Sequence, residues 1–276
     1  MQIDAHHHFW KYNPIEYGWM NESMRVLRRD FLPQDLKPEL TAAGIDGVVS
    51  VHARDTVEET SWLLNLAHQH EFIKGVVGWV PLVSRELASV LETVVSNPKL
   101  KAVRHVLQWE ADDNYMLRAD FNTGIDTLRA FDLTYDILIY ERHLPQTIEF
   151  VDRHPNQVFV LDHLAKPRIR DRVLSPWREN IIELAKRENV YCKVSGMVTE
   201  ADYRSWREED LQPYFDTVLE AFGPRRLMFG SDWPVCLVAC SYGRWAEIVL
   251  RNIQSYSSQE KERILGGTAQ EAYKLA

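Results

Sequence analysis

The sequence predicts an α/β protein built as a (β/α)8 barrel of the TIM type. Eight short runs rich in Val, Ile, Phe and Tyr recur along the 276 residues, and amphipathic helical patterns separate them. Several runs are almost continuously apolar, which is typical of parallel strands buried on both faces. The other α/β arrangement of this size is an open doubly wound sheet. The absence of a glycine-rich phosphate loop after the first run argues against it.

The predicted strands begin near the first residue and end close to residue 233. In chain order they are residues 2–9, 46–53, 74–80, 101–107, 134–140, 157–164, 190–196 and 226–233. Helical periodicity is clearest in residues 84–98, where apolar side chains recur three and four residues apart. The same pattern marks residues 56–70, 144–155 and 209–223. Thr56 is the expected N-cap of the first segment, and Pro155 and Gly223 end the other two.

Two segments are longer than a simple alternation of strands and helices requires. Residues 11–33 form a long loop after strand one, and residues 165–189 contain a loop as well as a helix after strand six. In a barrel both segments leave from the C-terminal ends of strands, where active sites are built. No linker, low-complexity tract or internal repeat interrupts the pattern, so we expect a single domain over residues 1–276.

Charge and cysteine content indicate which binding partners and which cellular location to expect. The formal net charge is -8 and no block of Lys and Arg occurs, so neither nucleic acid nor a membrane surface is an expected partner. Three scattered cysteines favour a reduced, cytoplasmic location over a disulfide framework. We find neither a signal-peptide pattern nor an apolar run long enough to span a bilayer. The sequence does not indicate an oligomeric state.

The first ten residues, MQIDAHHHFW, place three histidines in a predicted strand. Strand alternation would put Asp4, His6 and His8 on one face and His7 on the other. Two imidazoles at this spacing near a strand end are typical metal ligands, although a packing role would fit the spacing equally well. The histidines directly follow strand residues without a linker, so they are not a purification tag.

Two further motifs place chemistry-bearing side chains at strand ends. LDHL puts His163 at the end of strand six, and FGSDWP puts Asp232 at the end of strand eight. Each alone is compatible with a hydrogen-bonded core histidine or a turn aspartate. A barrel brings the C-terminal ends of its strands together. We therefore expect His6, His8, His163 and Asp232 to converge.

The segments DAHHHFW, LDHLAKP and MFGSDWP resemble the amidohydrolase superfamily. They are most similar to its sugar-lactonase branch, which includes L-fuconolactonases, L-rhamnonolactonases and 2-pyrone-4,6-dicarboxylate lactonase. The resemblance extends from Asp4 to about Pro234. It implies a hydrolase of carbohydrate metabolism, for example in fucose catabolism, that opens a sugar lactone to its acid. By this resemblance, Asp232 activates water and His6, His8 and His163 polarise the carbonyl.

The resemblance also bears on metal content. Binuclear members of the superfamily carry a bridging Lys or Glu on strand four and a histidine on strand five. Here strand four reads KAVRHVLQ, and Tyr140 stands at the tip of strand five. Two readings are left open: either one divalent ion such as Zn²⁺ binds His6, His8, His163 and Asp232, or these residues act as hydrogen-bonding groups without metal. No organic cofactor is implied.

Other side chains near strand ends are candidates for holding a polyhydroxylated ring. Tryptophans suit stacking against a sugar face, and planar or charged donors suit its hydroxyl groups. Each tryptophan is equally compatible with packing, and the arginine with a structural ion pair. The substrate-binding candidates are Trp10, Trp79, Trp109, Trp233, His52, Arg104, His105, Tyr140 and Lys193.

Two alternative functions follow from the same residues. A metal-dependent decarboxylase of the same superfamily would use a similar first strand and a similar aspartate. A non-catalytic barrel could bind a sugar acid or a protein partner, because a fold alone does not establish activity. A screen of lactones against aromatic acids separates the two enzymes. A ligand-induced melting shift without turnover would indicate binding alone.

Overall fold

Eight parallel strands form the centre of the molecule, as the sequence predicts. The structure is a computed structural model that describes residues 1–276. The strands are Ile3–His7 (β1), Gly47–Val51 (β2), Ile73–Gly78 (β3), Leu100–His105 (β4), Thr134–Ile137 (β5), Phe159–Leu161 (β6), Val190–Val194 (β7) and Leu227–Phe229 (β8). They pair in chain order from β1 to β8. A parallel bridge between His7 and Trp233 joins the two ends of the sheet, so the (β/α)8 barrel is confirmed.

Helices cover the outside of the barrel. They are Pro33–Ala43 (α1), Val57–Gln69 (α2), Leu87–Val94 (α3), Ala119–Ala130 (α4), Leu144–Arg153 (α5), Trp177–Leu184 (α6), Glu208–Phe222 (α7), Tyr242–Asn252 (α8), Ser258–Glu262 (α9) and Thr268–Ala272 (α10). The local sequence sets several of their ends. Thr56 caps α2 by accepting a hydrogen bond from the amide of Glu59, and Gly223 follows α7 with a φ of 64°.

The apolar residues divide into two clusters. The larger cluster lies between strands and helices and accounts for most of the buried hydrophobic side chains. The smaller one fills the barrel interior with short side chains such as Ala5 and Ala102, and Tyr273 near the C-terminus closes it from below. Charged and imidazole side chains then occupy the opposite, C-terminal end of the barrel. No helix combines the length and the apolarity that crossing a membrane requires.

Strand β1 departs from the strict alternation that the sequence suggests. Its register against β2 shifts between Asp4 and His7. His6 faces the barrel interior, whereas the Asp4 carboxylate accepts a hydrogen bond from the hydroxyl of Tyr242 on α8. The expectation that Asp4 shares a face with His6 is therefore wrong, because the irregular register separates the two side chains.

The two long loops lie at the C-terminal end of the barrel. The loop after β1 contains a short 3-10 helix, Glu22–Leu27, which packs against a second one, Val235–Val238, after β8. The loop after β6 runs through a left-handed segment before α6 begins at Trp177. Both segments were predicted from their length, and each contributes side chains to the site described next.

Candidate active site

Four side chains from three parts of the barrel converge at its C-terminal end. The Nε2 atoms of His6 and His8 lie 3.1 Å apart. The Oδ1 atom of Asp232 lies 3.8 Å from Nε2 of His6, 3.6 Å from Nε2 of His8 and 3.9 Å from Nε2 of His163. All four residues are buried, with exposed fractions of 6% or less. The convergence predicted from strand ends is thus present in the structure.

The donor set suits a divalent metal ion. Zinc is bound by imidazole nitrogens and carboxylate oxygens at about 2.0–2.2 Å, so the ligand atoms of one ion lie roughly 3–4 Å apart. The separations between Asp232, His6 and His8 fall in that range. His8 donates from Nδ1 to the carbonyl oxygen of Val51 at 2.8 Å, which leaves a lone pair on its Nε2. These residues could therefore hold a metal ion.

Strained backbone positions hold the two ligand candidates that lie on loops. His163 has a φ of 54° and Asp232 a φ of 56°, in the left-handed region that non-glycine residues rarely adopt. The strain after β6 extends from His163 to Lys166, four consecutive residues with positive φ. Gly196 permits this arrangement, because a Cβ atom there would lie 2.5 Å from Nδ1 of His163. Strain of this kind persists where the surrounding structure requires it, often at functional sites.

The environment sets the charge of these groups. Burial lowers the pKa of His163 to about 4 and holds the pKa of His6 well below its usual value. Burial would raise the pKa of Asp232, but the neighbouring His163 and His8 outweigh it, so this pKa lies below its usual value. At neutral pH the site therefore contains an ionised carboxylate beside neutral His6 and His163, and neutral imidazoles are the form that binds metal.

A network of buried charges lies directly beneath the histidines. The ammonium of Lys193 lies 2.6 Å from Oδ2 of Asp136 and 2.9 Å from Oδ1 of Asp162. Arg104 donates to Oδ2 of Asp162 at 3.0 Å and to the carbonyl oxygen of His52. All of these side chains are essentially inaccessible to solvent. Two positive and two negative charges thus balance each other below the ligand set, as buried ions require.

The cavity above the four side chains has a volume of about 310 Å³. His8, His163 and Asp232 contribute to its lining, while His6 lies just below. One part of the lining is apolar and comes mainly from the loops after β1, β4 and β8: Trp10, Trp19, Met24, Val106, Trp109 and Val235. A polar part comes mainly from the loops after β6 and β7: Lys166, Thr199, Glu200 and Tyr203. Such a mixture of flat apolar surfaces and polar groups suits a small polar ligand.

Four of the nine predicted substrate-binding residues line this cavity, namely Trp10, Trp109, Arg104 and Tyr140. The other five do not, and the structure corrects their expected positions. Lys193 lies beneath the histidines in the charge network, and His52 is buried behind Arg104. His105 pairs with Glu110 and stacks on Tyr115, away from the cavity.

The remaining two corrections concern tryptophans. Trp233 is buried and packs edge-on against Phe31 from the loop after β1. Trp79 follows β3, and its backbone amide and carbonyl both hydrogen-bond to Thr60 on α2. Neither ring lines the cavity.

Sequence reasoning missed several groups that the structure brings to the site. Asp136 and Asp162 lie on or next to strands β5 and β6, and Lys166 and Glu200 lie on the loops after β6 and β7. The position of Lys166 and Glu200 after strand C-terminal ends was a usable signal, since cavity side chains of a barrel come from such loops. Burial raises the pKa of Glu200, which faces Lys166 across 4.0 Å.

The fold and these groups define a class of protein: a barrel with a histidine-rich, carboxylate-containing centre at the C-terminal ends of its strands. The family model described as Amidohydrolase matches residues 3–275. The chain belongs to the amidohydrolase family, and the resemblance predicted from its three motifs is confirmed.

Two similar proteins are named as lactonases. The chain is 43% identical to an L-fucono-1,5-lactonase of Burkholderia multivorans, over 100% of this chain and 96% of that protein. It is 36% identical to an L-fucono-1,5-lactonase of Burkholderia ambifaria, over 99% of this chain and 96% of that protein. A crystal structure of an amidohydrolase from Burkholderia multivorans with bound zinc superposes with a TM-score of 0.95 at 43% identity, covering 100% of both chains.

Proposed function

We propose that this chain is a lactonase, which hydrolyses a sugar lactone to the corresponding sugar acid. The observation that carries the proposal is the convergence of His6, His8, His163 and Asp232 at the floor of a cavity that is part aromatic and part charged. The two curated relatives named above are L-fucono-1,5-lactonases, which favours a deoxysugar lactone and a role in fucose catabolism. They also favour lactone hydrolysis over the decarboxylation considered from the sequence.

The reaction adds water to a lactone carbonyl and breaks the bond to the ring oxygen. All three histidines approach Oδ1 of Asp232, so its Oδ2 atom is free to accept a proton from water. The resulting hydroxide attacks the carbonyl carbon, and Asp232 then returns the proton to the ring oxygen as the carbon–oxygen bond breaks. The products are a carboxylic acid and a hydroxyl group on one open chain.

The negative charge that develops on the carbonyl oxygen needs fixed donors or a cation. We propose that one divalent ion, Zn²⁺, is bound by His6, His8, His163 and Asp232, where it would supply Lewis-acid polarisation of the carbonyl. The chain's own residues orient the lactone. Trp109 offers a flat apolar surface to the ring, and the buried Trp10 adds only an apolar edge to the cavity wall. Arg104, Tyr140 and the pair of Lys166 and Glu200 offer polar groups to the hydroxyls of the lactone.

The substrate is a small molecule in this proposal, and we place the protein in the cytoplasm. Its cysteines support that location, since Cys192, Cys236 and Cys240 are all buried and unpaired.

A substrate panel tests the proposal. Purified protein is incubated with L-fucono-1,5-lactone, an L-rhamnonolactone and D-glucono-1,5-lactone in weak buffer, and acid release is followed with a pH indicator against an enzyme-free blank. We expect acceleration with at least one of the deoxysugar lactones. Dihydroxybenzoic acids, followed by ultraviolet absorbance, report on decarboxylation, for which we expect no change. A melting shift with a lactone but no turnover of any compound would contradict the proposal and favour a binding protein.

A further inference from the structure

One ring nitrogen of His6 lies between two groups with opposite hydrogen-bonding demands. Nδ1 of His6 is 3.1 Å from the ammonium nitrogen of Lys193 and 3.2 Å from Oδ1 of Asp162. The ammonium can only donate, and an ionised carboxylate can only accept. A neutral imidazole nitrogen carries either a lone pair or a proton. His6 therefore bonds Lys193 in one tautomer and Asp162 in the other.

The contacts of Lys193, His6 and His8 fit the first of these tautomers. Lys193 is aligned to donate to Nδ1 of His6, which puts the His6 proton on Nε2. Nε2 of His6 lies 3.1 Å from Nε2 of His8, and the latter nitrogen has a lone pair because His8 donates from Nδ1 to Val51. In this tautomer hydrogen bonds run without a break from Lys193 through His6 and His8 to the Val51 carbonyl, with one proton in each bond.

This arrangement leaves one buried oxygen without a hydrogen bond. Oδ1 of Asp162 has no aligned donor, although it lies 2.9 Å from the Lys193 ammonium and 3.2 Å from Nδ1 of His6. The other oxygen, Oδ2, already accepts a hydrogen bond from Arg104. A buried acceptor without a partner is destabilising, so Oδ1 favours any rearrangement that brings it a proton.

The second tautomer supplies that proton. With the hydrogen on Nδ1, His6 donates to Asp162, and Lys193 can direct its freed N–H to the same carboxylate. Nε2 of His6 then has a lone pair directed toward His8 and Asp232, which is the form that binds a metal ion. One N–H bond breaks and one forms on the same ring, so no net proton enters or leaves.

We propose that Lys193 and Asp162 act as positioning residues that select the tautomer of His6 according to metal occupancy. Lys193 holds the Nε2–H form in the metal-free protein, and Asp162 holds the Nδ1–H form when a divalent ion is bound. This inference rests on the proposed function for its ligand set. Its readouts, however, do not depend on turnover of a lactone.

Histidine tautomers are measured directly by long-range proton–nitrogen correlation spectra of protein labelled with ¹⁵N-histidine. The spectra are recorded after dialysis against a chelator and again after one equivalent of ZnCl₂, and His6 is assigned by comparison with His6→Gln. We expect an Nε2–H signal for His6 without zinc and an Nδ1–H signal with zinc. The same tautomer in both states would overturn the proposal, whether or not the protein hydrolyses lactones.

Two variants separate tautomer selection from simple structural support. Lys193→Met combined with Asp136→Asn removes one charge of each sign, so the buried network stays balanced. We expect His6 in the Nδ1–H form even without zinc, and zinc affinity at least threefold higher, because no bond to Lys193 must be broken. Asp162→Asn should instead lower zinc affinity by roughly 10- to 100-fold, since a second-shell acceptor for the ligand is weakened.

Zinc affinity is measured by competition with a chromophoric chelator. Lys101→Met serves as the control, because its ammonium bonds the Lys274 carbonyl at the opposite end of the barrel. It should leave affinity unchanged. A merely structural role for Lys193 predicts weaker zinc binding in both charged-network variants, and that result would contradict the proposal. If the double variant does not fold, the wild-type spectra with and without zinc still show whether the tautomer of His6 changes.

Discussion

The backbone amide of Asp232 donates a hydrogen bond to the carbonyl oxygen of His6 over 2.8 Å. Next to it, the amide of Ser231 donates to Oδ1 of Asp4 at 2.9 Å. These bonds join the first strand to the segment after the last strand, where the barrel closes. The proposed base and the first ligand histidine are therefore held by backbone contacts, which restricts their movement more than contacts between flexible side chains would.

Gly196→Ala should reduce activity by displacing His163. The new Cβ would lie 2.5 Å from Nδ1 of His163, too close for the ring to stay in place. A displacement on the order of 1 Å in a catalytic group can cost roughly 10²-fold in rate, and we expect a loss of that size in kcat/KM. Steady-state kinetics with the best lactone measures it.

Gly44→Ala is the matched control for this change. Gly44 has a φ of 70°, close to the 66° of Gly196, but a Cβ there meets nothing within 4 Å. Both variants should lose about 1–2 kcal/mol of stability from left-handed strain. Equal activity in the two variants would show that His163 does not need its present position.

Trp109→Ala should weaken substrate binding more than chemistry. Its ring lines the cavity yet is 56% exposed, so its removal leaves no buried hole. A stacking contact of about 0.5–1.5 kcal/mol that is equal in ground and transition states would raise KM roughly 2- to 10-fold and leave kcat nearly unchanged. Trp79→Phe, at a ring outside the cavity, should leave KM as it is. A larger increase in KM for Trp79→Phe than for Trp109→Ala would contradict the view that Trp109 contacts the substrate and Trp79 does not.

His52→Gln should change how stability depends on pH. Burial, reinforced by the charge of Arg104, holds the pKa of His52 well below its usual value in the folded protein. In the unfolded chain His52 takes up a proton below about pH 6.5, so its contribution to stability is present above that pH and is lost as the pH falls.

The slope of unfolding free energy against pH tests this point. Between about pH 6 and 5, each histidine that is held neutral in the folded protein adds about 1.4 kcal/mol per pH unit to this slope. The slope of His52→Gln should therefore be smaller than that of wild type by about this amount. Urea unfolding at several pH values measures it. His68→Gln, at an exposed position on α2, should leave the slope unchanged. An identical slope in His52→Gln and wild type would mean that His52 is not held neutral.

The sequence allowed all eight strands and the four converging side chains to be predicted, for a physical reason. Strands buried on both faces are apolar runs, and the ends of such runs mark the rim of a barrel. His8, His163 and Asp232 closely follow the strands β1, β6 and β8, and His6 lies near the end of β1. Their approach to one another is a consequence of topology, so it does not depend on details of side-chain packing.

The charge network beneath the site could not be predicted in the same way. Lys193, Asp136 and Asp162 come from three neighbouring strands, and their contacts depend on the pairing register, which the sequence does not specify. The register shift in β1 likewise turned Asp4 away from His6. Lys166 and Glu200 follow strand C-terminal ends, which is a signal, but their loops lack the periodicity that shows which side chains face the site.

We propose that Asp232 is the proton-transferring group of a lactonase, and the rate of lactone hydrolysis by Asp232→Asn measures that role. An amide cannot take a proton from water, so kcat/KM should fall roughly 10²–10⁴-fold while the circular dichroism spectrum stays as in wild type. Asp132→Asn, at an aspartate whose side chain is 81% exposed, should retain full activity. A folded Asp232→Asn protein that hydrolyses the lactone within tenfold of the wild-type rate would contradict the claim.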